Sequence, residues 1–156
     1  MDPQDTTTIA TTDDIWFDQM LLRVLVPASA TGGTVSVVEQ FHRQGYGTPV
    51  HVHSREDQTL YVLSGAITAE LAGERRRFVA GEAMFLPRGV AHAFLVEEEG
   101  TRLLEINTPG GFEEFHRDGG ETAPAFELPP VQQPDIPRMV AAAEVHGCAI
   151  VGPPMA

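Results

Sequence analysis

Short runs of β-forming residues, each ended by glycine or proline, are the feature that most constrains this chain's fold. From Leu21 onwards these runs are too short for helices, and a turn signal follows every several residues. Strands of this length and spacing indicate an all-β sandwich or barrel rather than alternating β–α units. The predicted strands are 21–26, 34–41, 50–53, 59–64, 66–71, 76–79, 83–87, 91–96 and 101–107.

Both ends of the chain differ from this pattern. Residues 1–14 have almost no apolar side chains and predict a flexible N-terminal arm, followed by a barrel over 15–109. Residues 110–156 predict an extension packed on the outside of the barrel. It would contain a short helix within 111–120 with Phe112 and Phe115 inward, a helix over 138–146 between an Asp135 cap and a Gly147 stop, and a terminal edge strand.

Charge and cysteine content narrow the possible partners and the compartment. Ten Lys and Arg against 22 Asp and Glu give the 156 residues a net charge of −12. An acidic surface repels phosphate backbones and anionic bilayers, so we expect neither nucleic acid nor membrane as a partner. The single cysteine, Cys148, and an N-terminus without the basic and apolar segments of a signal peptide predict a cytoplasmic protein.

Three histidines are candidate metal ligands. Side chains alternate faces along a strand, so His51 and His53 project to the same side, roughly 7 Å apart. His92 follows a Pro-x-Gly turn that would direct it into the core. Three imidazoles suit Fe, Mn, Co, Ni, Cu or Zn, whereas an isolated His-x-His pair is more often incidental.

The spacing of the whole set decides between these interpretations. Residues 45–65, GYGTPVHVHSREDQTLYVLSG, and 81–96, GEAMFLPRGVAHAFLV, contain Gly45, His51, His53, Gly65, Gly81, Pro87, Gly89 and His92. These eight positions match, in register, the two motifs of the cupins, G-x5-H-x-H-x3/4-E-x6-G and G-x5-P-x-G-x2-H-x3-N. The chain therefore resembles a cupin.

This resemblance, which extends over roughly residues 15–153, is to quercetin 2,3-dioxygenase-like monocupins. It implies a jelly-roll β-barrel, commonly a homodimer, that holds one divalent transition metal ion in the barrel mouth and acts on a small-molecule substrate.

Two positions depart from the cupin pattern: Gln58 stands where the glutamate ligand is expected, and Val96 stands at the asparagine position. A glutamine amide is a neutral, weaker donor and has no useful basicity near pH 7. We expect Gln58 to be the fourth ligand or to lie beside the metal. The neighbouring carboxylates Glu56 and Asp57 are alternatives, although Asp57 would face the opposite side of the strand. A site of three histidines and water is the remaining alternative.

A site without a ligating glutamate needs another acid–base group. Glu105, between Leu104 and Ile106, would serve if it pointed inward, but alternation favours the solvent face. His42 would serve if it lined the barrel mouth, but a surface or strand-end histidine is the more common outcome. His116 and His146 are expected to be structural. The candidates for an aromatic substrate pocket are Tyr61, Phe85 and Phe94, with core packing as the alternative.

Three hypotheses for function follow. The first is a metal-dependent, quercetinase-like dioxygenase acting on a small phenolic, flavonoid or polyketide-like compound. The second is a non-redox, metal-assisted cyclase or isomerase of natural-product biosynthesis, which Gln58 favours because a neutral ligand set leaves the metal charge for an enolate. The third is a cupin that binds a small ligand without catalysis.

Overall fold

A computed structural model describes residues 13–156, which form two antiparallel sheets and two helices. The strands are β1 (Asp13–Phe17), β2 (Met20–Val26), β3 (Ser36–His42), β4 (Pro49–His53), β5 (Asp57–Ser64), β6 (Ala66–Leu71), β7 (Glu74–Val79), β8 (Ala83–Leu86), β9 (His92–Val96), β10 (Thr101–Thr108), β11 (Glu121–Thr122) and β12 (Cys148–Pro154). The helices are α1 (Glu113–Gly119) and α2 (Ile136–Val145).

The larger sheet has the strand order β11-β1-β2-β3-β10-β5-β8, and the smaller one has the order β12-β4-β9-β6-β7. Alternate side chains of both sheets point into one core, which contains Leu22, Val38, Leu60, Ile67 and Leu103, each at most 3% exposed. The all-β prediction, with a short C-terminal helical extension, is confirmed.

The first strand begins earlier than the sequence indicated. Asp13 and Asp14 belong to β1, which pairs with β2 and buries Ile15 and Phe17. The predicted arm is therefore wrong for these two residues, which pair with Val24 and Arg23 of β2 although they carry no apolar side chain that would indicate a strand. The rest of the predicted arm, residues 1–12, lies outside the described residues.

The C-terminal elements follow their local signals. Asp135 caps α2 by accepting a hydrogen bond from the Arg138 backbone N–H at 3.1 Å, and Gly147 lies just beyond the helix at φ +69°. Phe112 and Phe115 are buried, as expected. β12 is an edge strand on β4, so this segment completes the smaller sheet rather than only lying outside it. No helix among residues 13–156 is long and apolar enough to cross a membrane.

Two motif glycines bring the site strands together. Gly65 has φ +80°, and an added Cβ would lie 2.2 Å from Thr101 Oγ1, so a larger residue would push β10 away from its neighbours. Gly89, at φ +79°, forms the turn before β9, and its N–H donates to the His53 carbonyl at 2.7 Å. This bond fixes the start of β9 beside the end of β4.

Candidate metal centre

Three histidine rings meet where β4 lies beside β9. His51 and His92 are directly opposite each other in the register, and His53 lies two residues further along β4 on the same face. The ring centroids are 5.0 Å apart for His51–His53, 4.3 Å for His51–His92 and 5.2 Å for His53–His92. One nitrogen from each ring lies within 4.8 Å of the other two, as ligands of a single ion must.

A hydrogen bond at the Nδ1 atom of each histidine fixes the orientation of its ring. His51 Nδ1 is 2.8 Å from the Pro49 carbonyl oxygen, and His92 Nδ1 is 3.3 Å from that of Val90. His53 Nδ1 is 2.5 Å from Glu56 Oε1. A carbonyl or carboxylate oxygen only accepts, so each Nδ1 carries the proton and each Nε2 keeps its lone pair. Metal-binding histidines are oriented in this way.

The site satisfies two further requirements for a metal. His53 Nε2 is buried and has no hydrogen-bond partner among residues 13–156, a costly arrangement unless a ligand takes its lone pair. Burial, with the neighbouring histidines adding to it, keeps the pKa of His51 well below its ordinary value and lowers that of His92 to about 4. These rings are therefore neutral at pH 7, the form that binds metals. The residues present fit one divalent transition metal ion.

Gln58 lies on the other sheet, where it lines a cavity that His51 and His92 also line. It is 4% exposed on β5, and its side-chain N–H donates to Asn107 Oδ1 at 2.9 Å. The amide of Asn107 donates in turn to Glu105 Oε1 at 2.9 Å and to Ser36 Oγ at 3.2 Å, so its oxygen must face Gln58. Gln58 Oε1 is consequently left without a hydrogen bond from the described residues, and the side chain lines the histidine cavity.

The two alternative carboxylates have other partners. Glu56 is 5% exposed and accepts from His53, so it holds a histidine instead of reaching the cavity. Asp57 lies on the outer face of β5, where its carboxylate accepts from the backbone and the guanidinium of Arg88. Those bonds lower its pKa. The sequence-based expectation that Asp57 and Gln58 face opposite sides holds.

The cavity next to the histidines is mostly apolar. Its volume is about 70 Å³, and aromatic rings and methionines form much of its wall: Phe17, Met20, Tyr46, Phe94, Phe112, Phe115 and Met139. Of the three aromatic residues predicted for a substrate pocket, only Phe94 lies here. Tyr61 and Phe85 are 39% and 57% exposed on the outer face of β5 and β8, because the strand alternation that directs Gln58 and Leu86 inward directs them outward.

Glu105 lies inside the barrel, so the expectation of a solvent-facing side chain is wrong. It is 2% exposed and lines the cavity together with Gln40, whose amide donates to Glu105 Oε2. Desolvation raises the pKa of Glu105 to about 7, although the hydrogen bonds from Asn107 and Gln40 oppose the shift. A carboxyl group with such a pKa exchanges protons readily near neutral pH.

His42 is the last residue of β3, which fits the strand-end alternative, and it is buried rather than at the surface. Its Nε2 is 2.9 Å from Gln40 Oε1, and the ring stacks on Tyr46 at 5.6 Å. Burial lowers the pKa of His42 to about 3, so the ring is neutral. Since it donates to the Gln40 oxygen, it turns the Gln40 amide N–H towards Glu105. His42 therefore supports the carboxyl group and is not among the cavity-lining residues.

The cavity wall also includes two titratable residues of the C-terminal extension, which the sequence did not indicate. His116 on α1 is 4% exposed, and Cys148 on β12 pairs with His53 across the smaller sheet. Burial raises the pKa of the Cys148 thiol to about 12, so it stays protonated. His146, in contrast, contacts Asp118 at 2.6 Å near the surface and has a structural position.

Comparison with known proteins agrees with this architecture. The family model for the cupin domain matches residues 37–107, which include every histidine of the triad. Quercetin 2,3-dioxygenase of Bacillus subtilis is 25% identical over 120 residues, covering 77% of this chain and 36% of the relative. Quercetin 2,3-dioxygenase of Aspergillus japonicus is 26% identical over 105 residues, covering 63% of this chain and 30% of the relative. The chain thus spans about a third of the length of these relatives.

A solved structure extends the likeness to the C-terminal elements. Ectoine synthase from P. lautus superposes with a TM-score of 0.58 at 14% identity, covering 95% of this chain and 87% of that one. The structure is thus a two-sheet β-barrel whose histidine triad, between β4 and β9, could hold a metal ion. The chain contains a cupin domain over residues 37–107.

Proposed function

We propose that this protein is a metal-dependent cupin enzyme that ionises and transforms a small phenolic, flavonoid or polyketide-like compound, as a quercetinase-like dioxygenase. The observation that carries the proposal is the histidine triad, in which every Nδ1 has a hydrogen-bond partner and no Nε2 has one among the described residues. Two of its members, His51 and His92, line an apolar cavity that a buried carboxyl group also lines.

His51, His53 and His92 would hold the ion, and the amide oxygen of Gln58 would complete the set. A divalent metal bound there would act as a Lewis acid that stabilises an oxygen anion of the substrate. Because all four donors are neutral, they would leave the positive charge of the ion to be balanced by that anion. Glu56 would keep His53 in the binding tautomer, and Asn107 would keep the Gln58 oxygen available.

Glu105 would be the base. In its ionised form it accepts two hydrogen bonds and retains lone pairs for a substrate hydroxyl, from which it would take the proton. Its pKa of about 7 lies near neutral pH, where a general base is most effective. The aromatic wall would exclude water and contact an apolar ring.

The size of the cavity restricts what enters without rearrangement. Its volume of about 70 Å³ is below the roughly 150 Å³ of an engineered protein cavity that admits benzene. A ring would therefore enter as the wall shifts, and Met20 and Met139 are unbranched side chains suited to such movement. The same limit favours compact compounds over three-ring flavonols.

Gln58 favours a second candidate function, a non-redox cyclase or isomerase. A neutral ligand makes a redox-active ion harder to oxidise, and proton transfer by Glu105 to and from an enol requires no oxidant. This reaction would use the same residues, with the enolate stabilised at the triad.

Oxygen consumption separates the two candidates. The protein would be loaded separately with Fe, Mn, Co, Ni, Cu or Zn and incubated with catechols, flavonols and small β-diketones, while dissolved oxygen and substrate loss are recorded together. Stoichiometric oxygen uptake with one of the redox-active metals supports the dioxygenase. Equal turnover under argon and with zinc supports the cyclase or isomerase, and the absence of turnover with all metals contradicts both.

A further inference from the structure

His116 is a buried polar side chain without a hydrogen-bond partner in the described part of the chain. It is 4% exposed, and neither ring nitrogen has a hydrogen-bond partner among residues 13–156, with Nδ1 fully buried. Leaving a buried polar group unsatisfied lowers the stability of the folded protein. A side chain in this state is a candidate for contact with a ligand.

The side chains that pack around His116 give no reason for a histidine at this position. Its ring packs against three phenylalanines, with centroid distances of 5.0 Å to Phe17, 4.9 Å to Phe112 and 5.4 Å to Phe115. A fourth phenylalanine would form the same edge-to-face contacts without an unsatisfied nitrogen. The packing alone would thus favour an apolar residue.

The position of His116 on the cavity wall is consistent with a role in ligand binding. It lines the same cavity as His51, His92 and Glu105, but it comes from α1, in the C-terminal extension that follows the barrel. His116 does not belong to the nitrogen cluster of the triad. Burial, with a contribution from His53, lowers its pKa to about 3, so it offers one N–H donor and one acceptor.

We propose that His116 is a substrate-binding residue that hydrogen-bonds a second, neutral oxygen of a substrate whose first oxygen lies at the histidine triad. This assignment rests on the proposed function and narrows its substrate class to an apolar, ring-sized compound with two separated oxygen functions. His116 would select a compound that carries the second oxygen over one in which an alkyl group takes its place.

Two catechols of similar size test this directly. Zinc-loaded protein avoids oxidation of the probes, and 3,4-dihydroxybenzaldehyde carries a remote carbonyl oxygen that 4-methylcatechol lacks. Their affinities would be measured by calorimetry for the wild type, His116→Phe and His116→Gln, and His146→Phe would be the control for a histidine outside the cavity. Zinc content and the free energy of unfolding would be recorded for each protein.

We expect His116→Phe to weaken binding of the aldehyde by on the order of tenfold, with 4-methylcatechol bound at least as tightly as by the wild type. Zinc content should not change, and stability should stay equal or rise, because an unsatisfied polar group is removed. His116→Gln, which keeps a donor and an acceptor, should restore part of the preference for the aldehyde. If His116→Phe fails to fold, His116→Leu provides the same apolar comparison.

Equal losses for both probes, no loss for either, or a loss of stability without a change in preference would overturn the assignment. Failure of the zinc-loaded wild type to bind either catechol would also overturn it. A wild-type protein that binds no metal would refute the proposed function instead, and the zinc measurement distinguishes that case.

Discussion

Replacing Glu105 by glutamine should change how the stability of the metal-free protein depends on pH. The unfolded chain releases the proton of this carboxyl near its ordinary pKa of 4.5, whereas the folded protein holds it until about pH 7. Between these values the folded state binds more protons, so the free energy of unfolding falls as pH rises. At about 1.36 kcal/mol per pKa unit, the contribution of this carboxyl to the stability of the wild type should fall by about 3 kcal/mol by pH 8.

Urea unfolding of the chelator-treated protein at half-unit steps between pH 4.5 and 8.5 measures this loss. Glu105→Gln should lack it, so the difference between variant and wild type should move by about 3 kcal/mol in favour of the variant as pH rises. Glu144→Gln, at an exposed position of α2, is the matched control and should follow the wild type. Parallel curves for the wild type and Glu105→Gln would refute the assignment of a buried, proton-exchanging carboxyl.

Three further predictions concern the surroundings of the site. His42, whose pKa is about 3, should lower the free energy of unfolding by up to about 1.4 kcal/mol per pH unit as pH falls below 6.5. Urea curves of His42→Gln should lack this contribution and keep those of the other buried histidines. Glu56→Gln should weaken metal affinity about 10–100-fold in a chelator competition, whereas Asp57→Asn should not; equal effects would contradict the role of Glu56. Met139→Ala should lower the free energy of unfolding by about 2–5 kcal/mol and tighten calorimetric binding of 4-methylcatechol to the zinc form, while unchanged binding would show that Met139 does not limit cavity size.

The triad was predictable because its signal is local. Strand alternation places His51 and His53 on one face, and the spacing of glycines and proline fixes the turns that bring His92 beside them. The same alternation shows that Gln58 and Asp57 face opposite sides, but it does not say which side lies inside. The hydrogen bond from Gln58 to Asn107 depends on pairing between β5 and β10, about fifty residues apart.

The inward position of Glu105 could not be predicted from the alternation of apolar and polar residues along β10. Leu103 and Leu104 occupy opposite faces of β10, so the apolar residues do not identify the inner one. Glu105 lies on the inner face, where it borders the cavity. His116 was missed for another reason. Its place depends on how α1 docks against β1 and α2, contacts that no local sequence pattern encodes. An isolated histidine among phenylalanines, in GFEEFH, was the available signal.

Metal content measured by mass spectrometry tests the central claim most directly. The wild type, His53→Ala, His92→Ala and His146→Ala would be loaded with zinc or cobalt, desalted and compared, with circular dichroism as the check of folding. The histidine triad predicts one ion per chain in the wild type and in His146→Ala, and loss of the ion in the two site variants. Equal occupancy in all four proteins, or a folded wild type without metal, would contradict it.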